Sequence, residues 1–130
     1  MSSRKFRTIA ALAAAITLVA ATSTAQADPA TKWRIQFANY TNNDGTITFH
    51  VAPEGGTAVD VESKVSKGSG ATTVARTVKD SLKAKLGDGY DVETDDGQDV
   101  IVRAEPKTPK FDLTLAGSTV AGLSVRFRKE

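Results

Sequence analysis

Seven short runs in this chain alternate apolar and polar residues with a period of two, and between the third and the fourth the period lengthens once to about four. Trp33, Ile35 and Phe37 alternate with Arg34 and Gln36, and Ile47, Phe49 and Val51 alternate with Thr48 and His50. Val59 and Val61 continue the pattern, as do residues 90–94 and 99–103, then Phe111, Leu113 and Leu115, and finally Leu123, Val125 and Phe127. Successive side chains of a strand point to opposite faces, so each run predicts a strand with one buried face. The exception is Val74, Val78, Leu82 and Leu86, which with Ala71 and Ala75 form one stripe of a helix. Ser69 or Thr72 is placed to cap its start, Gly87 its end, and Lys83 and Lys85 complement the dipole in the last turn.

The order βββ-α-ββββ with short connections predicts an α+β domain: a twisted antiparallel meander of about seven strands with one helix on one face. Asn42-Asn43-Asp44-Gly45 reads as a hairpin turn joining the first two strands, and Gly117-Ser118-Thr119 as the turn joining the last two. The chain contains no cysteine, so neither disulfides nor a cysteine-ligated metal can hold it. About 22 inward apolar side chains, at roughly 1.5–3 kcal/mol each when fully buried, must offset the chain entropy instead.

Residues 1–27 read as a secretory signal peptide. Arg4, Lys5 and Arg7 precede an apolar core from Ile9 to Ala20, and Ala25-Gln26-Ala27 supplies small residues for cleavage. The core is shorter than the roughly 20 residues of a membrane-spanning helix. Cleavage after Ala27 leaves one domain, 28–130, in the periplasm or the medium of a bacterium. Three of the 17 basic residues depart with the leader and all 15 acidic ones remain, so 14 basic groups face 15 acidic ones, a net charge of −1. A near-neutral domain without a Lys/Arg cluster offers nothing to attract nucleic acid or an anionic membrane.

The stretch DVETDDGQDV, residues 91–100, tests whether charge density here means a metal. A calcium loop of the EF type needs oxygen ligands at its first, third and fifth positions, glycine at the sixth and glutamate at the twelfth. Asp91, Glu93 and Asp95 meet the first requirement, but Asp96 and Val102 occupy the glycine and glutamate positions. A hairpin explains the stretch better: an Asp95-Asp96-Gly97 loop, with Val92 opposite Val100 and Tyr90 opposite Val102. On that reading Asp91, Glu93, Asp95, Asp96 and Asp99 face water, with weak cation binding as the alternative. No cofactor is implied.

Candidate catalytic groups are sparse. His50 is the sole histidine, stands on the outward side of its strand and lacks a recognisable triad partner. Gly68-Ser69-Gly70 does not have nucleophile-elbow spacing. The segment KGSGATT, residues 67–73, lacks the Gly-Lys-Ser/Thr ending of a phosphate loop and reads as a linker into the helix. The match of Asn39-Tyr40-Thr41 to a glycosylation sequon is read as accidental in a bacterial chain.

With the first two strands paired, Arg34, Gln36, Thr48 and His50 form a polar strip on the open sheet face, the candidate surface for a protein or glycan. The run from GTITFHV through the helix to DVIVRA resembles a strand–helix–hairpin module of bacterial surface and phage-tail proteins, a likeness of periodicity and small residues that carries no functional residue across. The expected function is an exported, non-enzymatic domain that binds a protein or carbohydrate or contributes to an extracellular assembly. An inhibitor or immunity protein of a hydrolase is the alternative, and a small secreted hydrolase the third reading. Arg126, Arg128 and Lys129 on the last strand discourage edge pairing and predict a monomer.

The metal alternative makes a measurable claim. A cation present at 100 times its dissociation constant would stabilise the fold by about 2.7 kcal/mol. Thermal melts with and without millimolar calcium are expected to superimpose, and a clear upward shift would restore the calcium loop.

Overall fold

The computed structural model describes residues 29–130. The signal-peptide assignment, residues 1–27, lies outside them. The order is β1 (Lys32–Ala38), β2 (Gly45–Pro53), β3 (Val59–Val65), helix α1 (Ala71–Leu86) running into a 3₁₀ turn (Gly87–Gly89), β4 (Tyr90–Asp95), β5 (Asp99–Ala104), β6 (Phe111–Ser118) and β7 (Ser124–Lys129). The expected α+β class, the seven strands and the βββ-α-ββββ order are all present.

The strands do not lie in one meander. They form two antiparallel sheets, one ordered β4-β5-β1-β7 and one ordered β3-β2-β6. Width explains the division. Seven strands spaced about 4.8 Å apart span roughly 29 Å, whereas a helix is about 10 Å across and covers about two strands. One helix cannot bury seven apolar strand faces, so the sheets bury theirs against each other. Phe49 of β2 meets Phe127 of β7 edge to face at 6.0 Å, and Tyr90 of β4 meets Phe111 of β6 at 5.1 Å, both across the two sheets. The Trp33 indole N–H on β1 donates to the Phe111 carbonyl at 2.8 Å, which satisfies a polar group inside the core.

Two expected hairpins are therefore absent. β1 pairs with β5 and β7, and β2 with β3 and β6. Residues 39–44 do not make a tight turn but carry the chain from one sheet to the other. Asn39 takes a left-handed φ of 72°, and Tyr40 bridges to Gly70. Thr41, 2% exposed, fixes the crossing: its hydroxyl donates to the Ser66 carbonyl at 2.6 Å and accepts the Ser69 N–H at 2.8 Å. Ser69 thus serves the loop and not the helix, whose N-cap is Gly70 with no side-chain bond. Gly87 ends the helix as expected, at φ 71° with its N–H on the Lys83 carbonyl. The helix sinks Val74, Ala75, Val78 and Leu82 against β3 and β4, closing one side of the sandwich.

β4 and β5 form the expected hairpin with a register two residues away from the expected one. Val92 faces Val102, Tyr90 faces Ala104, and Asp95 faces Asp99. Asp96 and Gly97 take positive φ, so the turn lies one residue later than read. A shift of two preserves which side each residue faces, so the buried set is unchanged.

Residues 119–123 also cross between sheets, and they interlock with 39–44. Asn42 N–H donates to the Ala121 carbonyl at 2.8 Å, and the Asn43 side chain accepts the Ala121 N–H and donates to the Thr119 carbonyl, each at 2.9 Å. Gly122 sits at the contact with φ 89°, and a Cβ there would lie 2.7 Å from the Tyr40 carbonyl oxygen. Gly122→Ala therefore combines backbone strain with a clash against main chain. Chemical denaturation is expected to show a loss of about 2 kcal/mol or more, and an unchanged midpoint would show that the clasp yields freely.

Candidate functional site

The alternation that buries one face of each sheet exposes the other, giving two outer faces of different character. Neither carries the predicted strip whole, because β1 and β2 belong to different sheets. Arg34 and Gln36 lie on the outside of the four-stranded sheet, Thr48 and His50 on the outside of the three-stranded one.

On the four-stranded sheet, Arg34 is the centre of an ion-pair network. Its Nη1 donates to Asp99 Oδ2 at 2.6 Å, its Nη2 to Asp95 Oδ2 at 2.8 Å and its Nε to Glu130 Oε2 at 3.1 Å. Arg103 holds Asp91 at 2.8 Å, directly across from it in the β4–β5 ladder. Most of the acidic stretch is thus answered by arginines from neighbouring strands. Only Glu93 and Asp96, both exposed, stand outside these pairs, Asp96 at the turn with φ 55°. Of the five acids expected to face water, Glu93 and Asp96 are exposed, and Asp91, Asp95 and Asp99 are in addition ion-paired. Among the described residues no group of three or more carboxylate, thiol or imidazole side chains converges as a metal ion requires. A guanidinium occupies the position between Asp95 and Asp99.

The network also buries Ile101. It stands between Arg34 and Glu93 in the ladders and is 4% exposed, yet it faces away from the core between the sheets. Long side chains over an apolar one cover it with their stems while their charged ends meet partners. The Glu130 carboxyl is held below the usual carboxylate range, chiefly by its hydrogen bonds from Arg34 and further by Arg128. The same contacts, Glu130 first and then Asp99 and Asp95, raise the affinity of Arg34 for its proton.

The three-stranded sheet presents a different surface. Thr46, Thr48, His50 and Ala52 of β2 form its central row, with Asp60, Glu62 and Lys64 of β3 on one side and Asp112 and Thr114 of β6 on the other. His50 lies between Asp60 and Thr114, and Thr48 between Glu62 and Gly117. The His50 Nδ1 is 2.6 Å from Asp60 Oδ1, and both side chains are exposed, by 43% and 59%. In neutral imidazole this pairing places the proton on Nδ1 and leaves Nε2 as an acceptor. The row adjoins an open groove of about 530 Å³ between β3 and the helix, lined by Asp60, Glu62, Ser81 and Lys85 among others.

The expected meander already sets β3 beside β2 and gives the first strand only the place that belongs to β6, so the partner of His50 was within reach of the sequence. Its signal was present, since the alternation in Val59-Asp60-Val61-Glu62 already puts Asp60 on the outward side. The chain matches no family model and no curated protein.

The ion network gives a pH prediction. Arg34→Ala leaves Asp95, Asp99 and Glu130 facing one another without their cation and is expected to lower the melting temperature at neutral pH. Glu130 has its folded-state pKa lowered, so its contribution is present above the ordinary carboxylate pKa and is lost as pH falls through the lowered one. Melting temperatures of wild type and variant should therefore differ most near neutrality and converge in acid. A gap that widens below the carboxylate range would contradict the assignment.

Proposed function

We propose that this chain is an exported, non-enzymatic binding domain that engages a protein or carbohydrate partner through the outer face of its three-stranded sheet, with His50 at the centre. One observation carries the reading: the neighbours of His50 along the strand and across to β6 are short (Thr48, Ala52 and Thr114), while Asp60 fixes its ring from the other side. The imidazole thus stands above a low, flat, hydrogen-bonding surface and offers an oriented acceptor to whatever lies on it. A pleated face of this kind suits an extended contact with a protein or a glycan. The other outer face is a poorer candidate, because Arg34 already spends its three nitrogens on Asp95, Asp99 and Glu130. The leader-like residues 1–27 support export.

Two substitutions test the face without touching the core. His50→Ala removes the oriented acceptor, and Thr48→Arg lays a long charged side chain across the flat row. Partner capture from culture fluid and binding to immobilised glycans form the two arms. Each variant is expected to lose about tenfold in affinity, or about 1.4 kcal/mol, with an unchanged melting temperature. Full affinity in both variants for a partner held by the wild type would remove the proposal.

A further inference from the structure

β1 carries the chain about 20 Å from Lys32 to Ala38, and at its far end three segments meet: residues 38–40, the start of α1 and the turn between β4 and β5. The Phe37 N–H donates to the Gln98 carbonyl at 3.3 Å, and a Cβ at Gly97 would lie 3.9 Å from Thr72 Oγ1. A cleft of about 370 Å³ opens among these segments, lined by Asn39, Tyr40, Thr72, Thr73 and Gln98 with small residues between them. Its lining departs from the rest of the chain. Of all residues 25% are charged, yet none that lines this cleft is.

Tyr40 is the feature that points to a ligand. It is 67% exposed, while Trp33, Phe37, Phe49 and Phe111 are buried and Tyr90 and Phe127 half-buried. Exposure does not leave it loose. Its main chain bridges to Gly70, the Thr41 N–H donates to the Ser69 carbonyl at 3.0 Å, and a Cβ at Gly70 would come within 3.3 Å of the ring. The ring therefore rests against the bare main chain of Gly70, in place before any ligand arrives. Around it stand the amides of Asn39 and Gln98 and the hydroxyls of Thr72 and Thr73. All four residues are exposed, and none of these side-chain groups is engaged elsewhere among the described residues.

We infer that this cleft binds a neutral sugar chain, with Tyr40 as the platform on which one sugar ring stacks and Asn39 and Gln98 as the amides that read its hydroxyls. Charge selects the class. No lysine or arginine lines the cleft to hold an anion, and no carboxylate lines it to hold a cation. Hydrogen bonding selects within the neutral ligands: each amide brings two donors and an acceptor, and each threonine hydroxyl is both, a set that matches neighbouring sugar hydroxyls, which also donate and accept. The electron-rich face of the aromatic ring attracts the C–H groups on the flat side of a sugar, while the phenol end stays wet. Past Asn39 and Gln98 the groove continues into a second cleft of about 320 Å³ that includes Gln36 and Ser124, so the ligand it fits is a chain of units. The charged groups of that second cleft are Asp99, already held by Arg34, and Arg126. The site shares no lining residue with the His50 row and does not rest on the reading given for it.

Affinity electrophoresis of the purified chain tests the assignment, in gels that contain a neutral polysaccharide (a β-glucan, a starch or a galactomannan) or the anionic alginate. At least one neutral polymer is expected to retard the wild type, and alginate is not. Tyr40→Ala should lose about tenfold in affinity and Gln98→Ala several-fold, both with unchanged melting temperatures. Tyr40→Phe, which keeps the ring, and His50→Ala should bind as the wild type does. Retardation by no neutral polymer, or by alginate as strongly, would overturn the assignment, and so would equal losses in Tyr40→Phe and Tyr40→Ala. Retention lost in His50→Ala but kept in Tyr40→Ala would move the sugar to the other face and leave that reading standing. Capture of a protein from culture fluid that Tyr40→Ala abolishes, with no polysaccharide held, would give the cleft to a protein and equally overturn the inference.

Discussion

The architecture depends on how little a single helix can cover. α1 buries Val74, Ala75, Val78 and Leu82 along one stripe, enough to close the gap between the edges of β3 and β4. Every other apolar strand face must find its cover in another strand. That requirement splits seven strands into two sheets, sends residues 39–44 and 119–123 across the gap between layers, and places Trp33, Phe49, Phe111 and Phe127 where the layers meet. With no disulfide available, these crossings are held by hydrogen bonds from Thr41 and Asn43, short polar side chains that can serve main-chain groups in a loop, and from the main-chain N–H of Asn42.

Burying one face of each sheet leaves two outer faces, and the sequence spends its charges on them unequally. The four-stranded sheet receives Arg34, Arg103 and Arg128 among its acids, and the resulting pairs shield Ile101. The acidic stretch that reads as one-signed along the chain is partly answered in space, by Arg103 from the facing strand and by Arg34, 65 positions from Asp99. The three-stranded sheet keeps shorter side chains in its central row, and its one imidazole is oriented rather than enclosed.

Period and class were legible in the sequence because they are local. The alternation located all seven strands, and the four-residue spacing located the helix to within its caps. Layering was not legible, since a strand that buries one face has the same pattern whether a helix or a second sheet covers it. The Asn42–Gly45 segment has hairpin composition, yet Thr41 and Asn43 use their side chains to stabilise a crossing, and composition alone does not separate the two uses. β3 shows the same limit on a smaller scale: the Val59 and Val61 alternation continues inward through Ser63, fully buried and polar, which breaks the apolar pattern before the strand ends at Val65. The candidate strip failed for the layering reason as well, because it relied on adjacent strands in sequence being adjacent in one sheet. Half of it, Thr48 and His50, remains on an open face; Arg34 became part of the scaffold.

An edge strand in a two-layer fold of this size faces two demands that pull apart. Charges along the strand protect it from unwanted pairing, but residues facing the narrow inner space must be apolar if the layers are to close. β7 meets both by placing Arg126 and Arg128 outward while Val125 and Phe127 face in. β6 places one charge outward, Asp112, and then the short Thr114 between the inward Leu113 and Leu115. In β6 the outward position beside His50 is occupied by a short hydroxyl where a guarding lysine or arginine would overhang the imidazole. The flat face therefore depends on which residues β6 sets outward: the short Thr114 keeps the His50 row accessible while the inward Leu113 beside it closes the layers.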